Sequence, residues 1–160
     1  MSMINLDKCQ AIYGGNIQNV VHSAQMVNGN IVNIGTLATR EVFNVAVPAT
    51  ATLGTERALL IFNDETIVTV NDSQISDYVI PAGTEARAYA LTVDDIITFD
   101  DALIDGTPVV GQFLIPQNGS LKLAAAADLT GGTRLALKVI EETTIGFAKA
   151  QAWAAVVVKA

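Results

Sequence analysis

Thr133-Arg134-Leu135-Ala136-Leu137-Lys138-Val139-Ile140 is the stretch on which the reading of this chain turns. Thr133, Leu135, Leu137 and Val139 alternate with Arg134, Ala136, Lys138 and Ile140. A repeat of two places one set on each side of an extended strand. Gly131-Gly132 opens the stretch and Glu141-Glu142 follows it. Beyond lie Ile145 to Phe147 and the run Ala150 to Lys159. The alanines of 148–155 have good helix propensity, but Val156-Val157-Val158 prefers a strand, so the end of the chain reads as β.

The same signals run backwards from there. Gln117-Asn118-Gly119-Ser120 is a hairpin turn joining Phe113-Leu114-Ile115 to Leu121-Lys122-Leu123. Val109 to Ile115, Ile96 to Phe99, Arg87 to Val93, Thr66 to Val70, Ala58 to Phe62 and Arg40 to Val47 are all of strand length. Between them fall Asp105-Gly106, Pro81-Ala82-Gly83, Asn71-Asp72-Ser73, Asn63-Asp64-Glu65 and Pro48. In the strand after Gly83, Ala86, Ala88 and Ala90 share one face, which predicts close approach to another layer or subunit. Ala124 to Leu129 is helix-prone but too short to hold a helix alone. Strands at this spacing, without a long helical period or a solenoid repeat, predict an all-β sandwich or barrel of short antiparallel strands.

Residues 1–38 read differently, as an extended N-terminal arm or small hairpin before a β domain over 39–160. Asn recurs at 5, 16, 19, 28, 30 and 33, with Gly14-Gly15 as a hinge or bulge. Asn28-Gly29 suits a type I′ turn between Gln25-Met26-Val27 and Asn30-Ile31-Val32.

Hydrophobic residues make up 51% of the 160 and charged residues 16%, below the usual quarter. Such a chain keeps apolar surface after folding, and a homo-oligomer is the simplest use for it. The net charge is −7 and no Lys/Arg cluster exists, so neither nucleic acid nor an anionic membrane is expected as a partner. The longest apolar candidate, Ala152 to Val158, is far short of the roughly 20 residues that span a bilayer. Met1 to Lys8 lacks the pattern of a secretory signal, and a single cysteine, Cys9, allows no intrachain disulfide. These features fit synthesis and assembly in a cytoplasm. Charge is uneven: residues 64–105 carry ten acids against Arg87, and residues 106–160 are mildly basic. The two segments could complement each other between subunits, or meet a partner's surface.

Side chains with chemistry are few. His22 stands beside Val20-Val21 and reads as a packed or solvated imidazole; Ser23 next to it has no Gly-x-Ser-x-Gly elbow. Cys9 reads as an idle thiol, since Lys8 is its only basic neighbour. Asp94-Asp95 and Asp100-Asp101 flank one strand. Paired carboxylates serve glycoside hydrolysis or a hard cation, but the spacing matches no EF-hand or other metal pattern. Solvated turn acids that discourage edge pairing are the simpler reading. Trp153 reads as a core or interface anchor before a sugar platform. The glycine pairs precede no Lys-Ser/Thr and are not phosphate loops. No catalytic, cofactor-binding or metal-binding residue is therefore assigned, and the chain is not expected to be an enzyme.

Tyr78-Val79-Ile80-Pro81-Ala82-Gly83-Thr84-Glu85-Ala86-Arg87-Ala88-Tyr89-Ala90-Leu91, leading into Asp94 to Phe99, is followed by Gly106-Thr107-Pro108-Val109-Val110-Gly111. Then come Gly132 to Ile140 and Glu142-Thr143-Thr144-Ile145-Gly146. Across about residues 40–150 this series resembles small head proteins of tailed bacteriophages, those that decorate or cement the capsid. The resemblance implies a virion subunit on the outer capsid surface, commonly a trimer on the lattice of the major capsid protein. It implies no active site. An N-terminal arm could order on binding and add a strand to a neighbour. A head-fibre or tail module binding a host glycan through Trp153, Tyr13, Tyr78 and Tyr89 is the alternative. A carboxylate hydrolase built on the Asp pairs is the third reading.

Overall fold

The computed structural model describes residues 3–9, 17–63, 78–146 and 148–160. Among the described residues twelve strands form two all-β layers. The first is a closed barrel of β2 (Ile17–Val21), β4 (Val42–Ala46), β3 (Ile31–Thr39), β5 (Ala58–Ile61) and β6 (Glu85–Tyr89), in that order around the ring. The second is an open seven-stranded sheet. Its order is β1 (Ile4–Lys8), β7 (Ile96–Asp100), β12 (Ala150–Lys159), β11 (Ala136–Ile145), β9 (Phe113–Pro116), β10 (Leu123–Ala126) and β8 (Ile104–Asp105). A 3-10 turn, Asp101–Leu103, joins β7 to β8. Among the described residues no helix is long and apolar enough to cross a membrane.

Strand faces explain the sequence. Thr133, Leu135, Leu137 and Val139 are all buried, while Lys138 and Ile140 face out. The long β11–β12 hairpin pairs Val139 with Ala155 and Ile145 with Ala150. Leu135, Leu137 and Val139 meet Trp153, Ala155 and Val157 in the main core, with Ile97 and Phe99 from β7, Leu114 from β9 and Leu123 from β10. The barrel contributes Ile31, Leu60, Tyr89 and Leu91 to that same core from its outer wall. β5 is apolar throughout because it is buried on both sides: Leu59 and Ile61 point into the barrel, and Leu60 points at the sheet. β6 divides the same way. Its Ala86 and Ala88, followed by Ala90, fill the barrel interior, while Tyr89 faces the sheet. A ring of only five strands leaves little interior room, so small side chains fit there. The layer that the alanine face approaches thus lies within this chain.

Most expected strands from residue 40 onward form. The strand expected over Thr66–Val70, its flanking acidic and asparagine turns, and Gly14-Gly15 lie outside the described residues. Three readings are corrected. First, the described part of 1–38 is not a separate arm or hairpin: β1 pairs with β7, while β2 and β3 are staves of the barrel. A boundary after residue 38 would fall inside β3. The physical reason is that Asn28, Asn30 and Asn33 are buried partners. Asn28 Nδ2 donates to Asn63 O and its Oδ1 accepts from Asn63 N; Asn30 Oδ1 accepts from Val27 N; Asn33 Nδ2 donates to Thr52 Oγ1. Buried amides satisfied in this way stitch strands together and need no water.

Second, Asn28-Gly29 does turn the chain, with Asn30 N donating to Val27 O, but no hairpin follows. Met26 bridges to Ile80 and Ile31 pairs with Leu60. Only Gly29 has positive φ, so the corner is of type II rather than type I′. A Cβ on Gly29 would overlap Leu103 and Ile4, so the corner is a contact between barrel and sheet. Third, not every pair is antiparallel: β2 with β4, and β8 with β10, run parallel. Ala124–Ala126, helix-prone in sequence, lies in β10, where pairing with Phe113–Ile115 supplies the partner a short helix would lack.

The hairpin expected around Asn118-Gly119 forms between β9 and β10, with Leu123 opposite Pro116. Its tip also docks on the barrel. Gly119 N donates to Pro48 O, and Asn118 Oδ1 accepts from Thr50 N.

Candidate functional site

The two acidic pairs at the ends of β7 are the first place to look for chemistry; the reading as solvated turn acids holds for Asp94 and Asp101, which are exposed, and is corrected for Asp95 and Asp100, which are buried. Asp95 is only 1% exposed, and its Oδ2 accepts from Thr92 N and from the Cys9 thiol. Asp94, with φ +76°, makes the tight turn into it, and its backbone N donates to Val157 O. Asp100 is 4% exposed and caps the 3-10 turn, its Oδ1 accepting from Ala102 N. Its Oδ2 is buried with no hydrogen-bond partner among the described residues. Asp101 Oδ1 accepts from Trp153 Nε1 at 2.9 Å. Asp95, Asp100 and Asp101 thus end β7 by serving backbone and indole N–H groups with their carboxylates, which is the use made of short acidic side chains at turns and caps.

The pairs sit at opposite ends of a five-residue strand, so they share no cleft. Among the described residues no three His, Cys, Asp or Glu side chains gather closely enough to hold a metal ion. His22 is buried, its Nδ1 lying 3.1 Å from both the N and the O of Ala24. Cys9 is buried against Asp95 rather than presented to solvent. Neither pairs in space with the other. Trp153 is an anchor of the main core, 5% exposed. Of the aromatics weighed for sugar stacking, Trp153 and Tyr89 are buried, Tyr78 is half-buried, and Tyr13 lies outside the described residues.

Two surface features were not visible in the sequence. The first is a pocket of about 360 Å³ at the seam between barrel and sheet. It is lined by Arg57 and Ala58 at the start of β5, Leu91, Thr92 and Val93 between β6 and β7, and Arg134, Leu135 and Ala160. Arg57 and Arg134 lie 77 positions apart and are joined by no motif; only the fold brings them to one cavity. The second is a group of exposed valines. Val109 and Val110, 48% and 54% exposed, occupy a turn held against β11 by Gly111 N donating to Val139 O. Exposed Ile140 is the next residue along β11, and Val93 and Val158 are exposed where Asp94 meets β12.

No protein-family model, no curated protein and no solved structure matches this chain. Its functional reading therefore rests on its own residues.

Proposed function

We propose that this chain is a non-enzymatic virion subunit that decorates and stabilises the outer surface of a tailed-phage capsid. It would act as a homo-oligomer, a trimer by resemblance, seated on the lattice of the major capsid protein and made in the host cytoplasm. Neither nucleic acid nor membrane enters this reading. The observation that carries it is the exposed apolar turn Val109-Val110, held against β11 next to exposed Ile140. Neighbouring exposed apolar residues of this kind suit burial by a partner. The series of strand and turn residues from Tyr78 to Gly146 lends the phage-head context. The acidic segment does meet the basic end within one chain, where Lys122 Nζ lies 3.7 Å from Asp105 Oδ1. That exposed pair contributes little.

The test is co-sedimentation with matching capsids stripped of decoration, run beside light scattering of the free protein. The expected result is a stable oligomer that binds assembled capsids and ignores free capsid subunits. Replacing Val109, Val110 and Ile140 by Ser should abolish one or both associations while circular dichroism stays unchanged. A monomer that ignores such capsids would overturn the reading.

A further inference from the structure

We propose that the seam pocket is a binding site for a small organic carboxylate, with the carboxylate between Arg57 and Arg134 and the carbon chain along Leu91, Val93 and Leu135. The inference is independent of the capsid role. The pocket's volume, about 360 Å³, lies within the range of small-molecule sites. Two of the nine Lys and Arg residues of an acidic chain line it together.

The two arginines differ in a useful way. Arg134 is held from both ends, its backbone N donating to Leu53 O at 2.7 Å and its Nη1 donating to Thr55 O at 3.1 Å. That leaves a fixed guanidinium with further N–H donors to offer. Arg57 lies at the mouth of β5, where its carbonyl accepts from Ile34 N, and its guanidinium has no partner among the described residues. One charge is anchored and the other is free to close on a ligand. Asp95, three positions beyond the pocket-lining Thr92, is buried and turned toward Thr92 N and Cys9.

The walls decide between anions. Ala58, Leu91, Val93 and Leu135 present carbon. A phosphate would leave oxygens against that carbon, at the cost of unsatisfied polar atoms. A carboxylate has two oxygens, both within the scope of paired guanidinium donors, and its chain can lie on the apolar wall. Because the whole protein is negative, attraction must come from these two side chains within a Debye length of about 8 Å.

The experiment titrates the full chain, labelled at Leu and Val methyls, with hexanoate, hexanamide and inorganic phosphate at low salt. Hexanoate should bind saturably and shift the methyls of Leu91, Val93 and Leu135. Hexanamide and phosphate should each bind at least about tenfold more weakly. Arg57→Gln should weaken hexanoate by about tenfold or more while leaving the melting temperature unchanged, since that side chain holds nothing else among the described residues. Shifts confined to other methyls, no saturation at millimolar hexanoate, equal binding of the amide, tighter binding of phosphate, or an unaltered Arg57→Gln affinity would each overturn the proposal.

Discussion

The barrel and the open sheet bury their side chains by opposite means. The barrel closes on itself and fills a narrow interior with Ala86, Ala88 and Ala90 among Val20, Val32, Leu59 and Ile61. Among the described residues the sheet has two edges, β1 and β8, and it covers one face with large residues: Phe99, Leu114, Leu137 and Trp153. In the barrel, stability depends on nothing being added. In the sheet, it depends on nothing being removed. The shared strands β5 and β6 obey both rules at once, one on each side.

This contrast can be broken at its strongest point by Phe99→Ala. The ring is fully buried in the core that both layers share, and its loss should cost about 3–5 kcal/mol, read as a fall in the urea midpoint at constant m. A cost below about 1 kcal/mol would mean that the sheet face is not tightly packed. Next in size is Ala88→Leu. It adds carbon where the barrel has least room and should cost about 1–3 kcal/mol, although it raises hydrophobicity. A gain in stability would show empty space in the barrel and remove the contrast. The smallest effect lies outside both cores. Asp128 is held below the usual carboxylate range by hydrogen bonds from the Thr130 backbone N and then from the Thr130 side chain. A carboxyl lowered by folding favours the folded state above its unfolded value near 3.9, and that contribution fades as pH falls through its folded value. An NMR titration should show the Asp128 midpoint below that of an exposed model acid, and Asp128→Asn should leave both the barrel and the sheet core intact.

Much of this architecture is legible in the sequence where periodicity and turn chemistry agree. The alternation at Thr133–Ile140 gives the inner face of β11, and Asn118-Gly119 gives the β9–β10 turn. Trp153 sits in the core as its setting among alanines suggests. Residues 1–38 are less legible because polarity in a sequence does not distinguish an exposed amide from a buried, partnered one. Asn28, Asn30 and Asn33 are buried, and composition does not show that a buried amide has a partner dozens of residues away. The same limit hides the seam pocket, since Arg57 and Arg134 carry no local signal. The acids of β7 were found in sequence, but their role as caps needs the strand ends to be in place.

The position of β12 has a consequence for synthesis. It is the latest strand in chain order, yet it lies between β7 and β11 in the middle of the sheet. The barrel strands all lie within residues 17–89, so a nascent chain has them well before the sheet can be completed. Until Ala150–Lys159 leaves the ribosome, β7 and β11 have no bridge and each offers an unpaired edge. Translation therefore favours a barrel that forms early and a sheet that joins in one late step. A stall or truncation before residue 150 should yield a chain prone to pair with its own copies rather than a smaller stable protein.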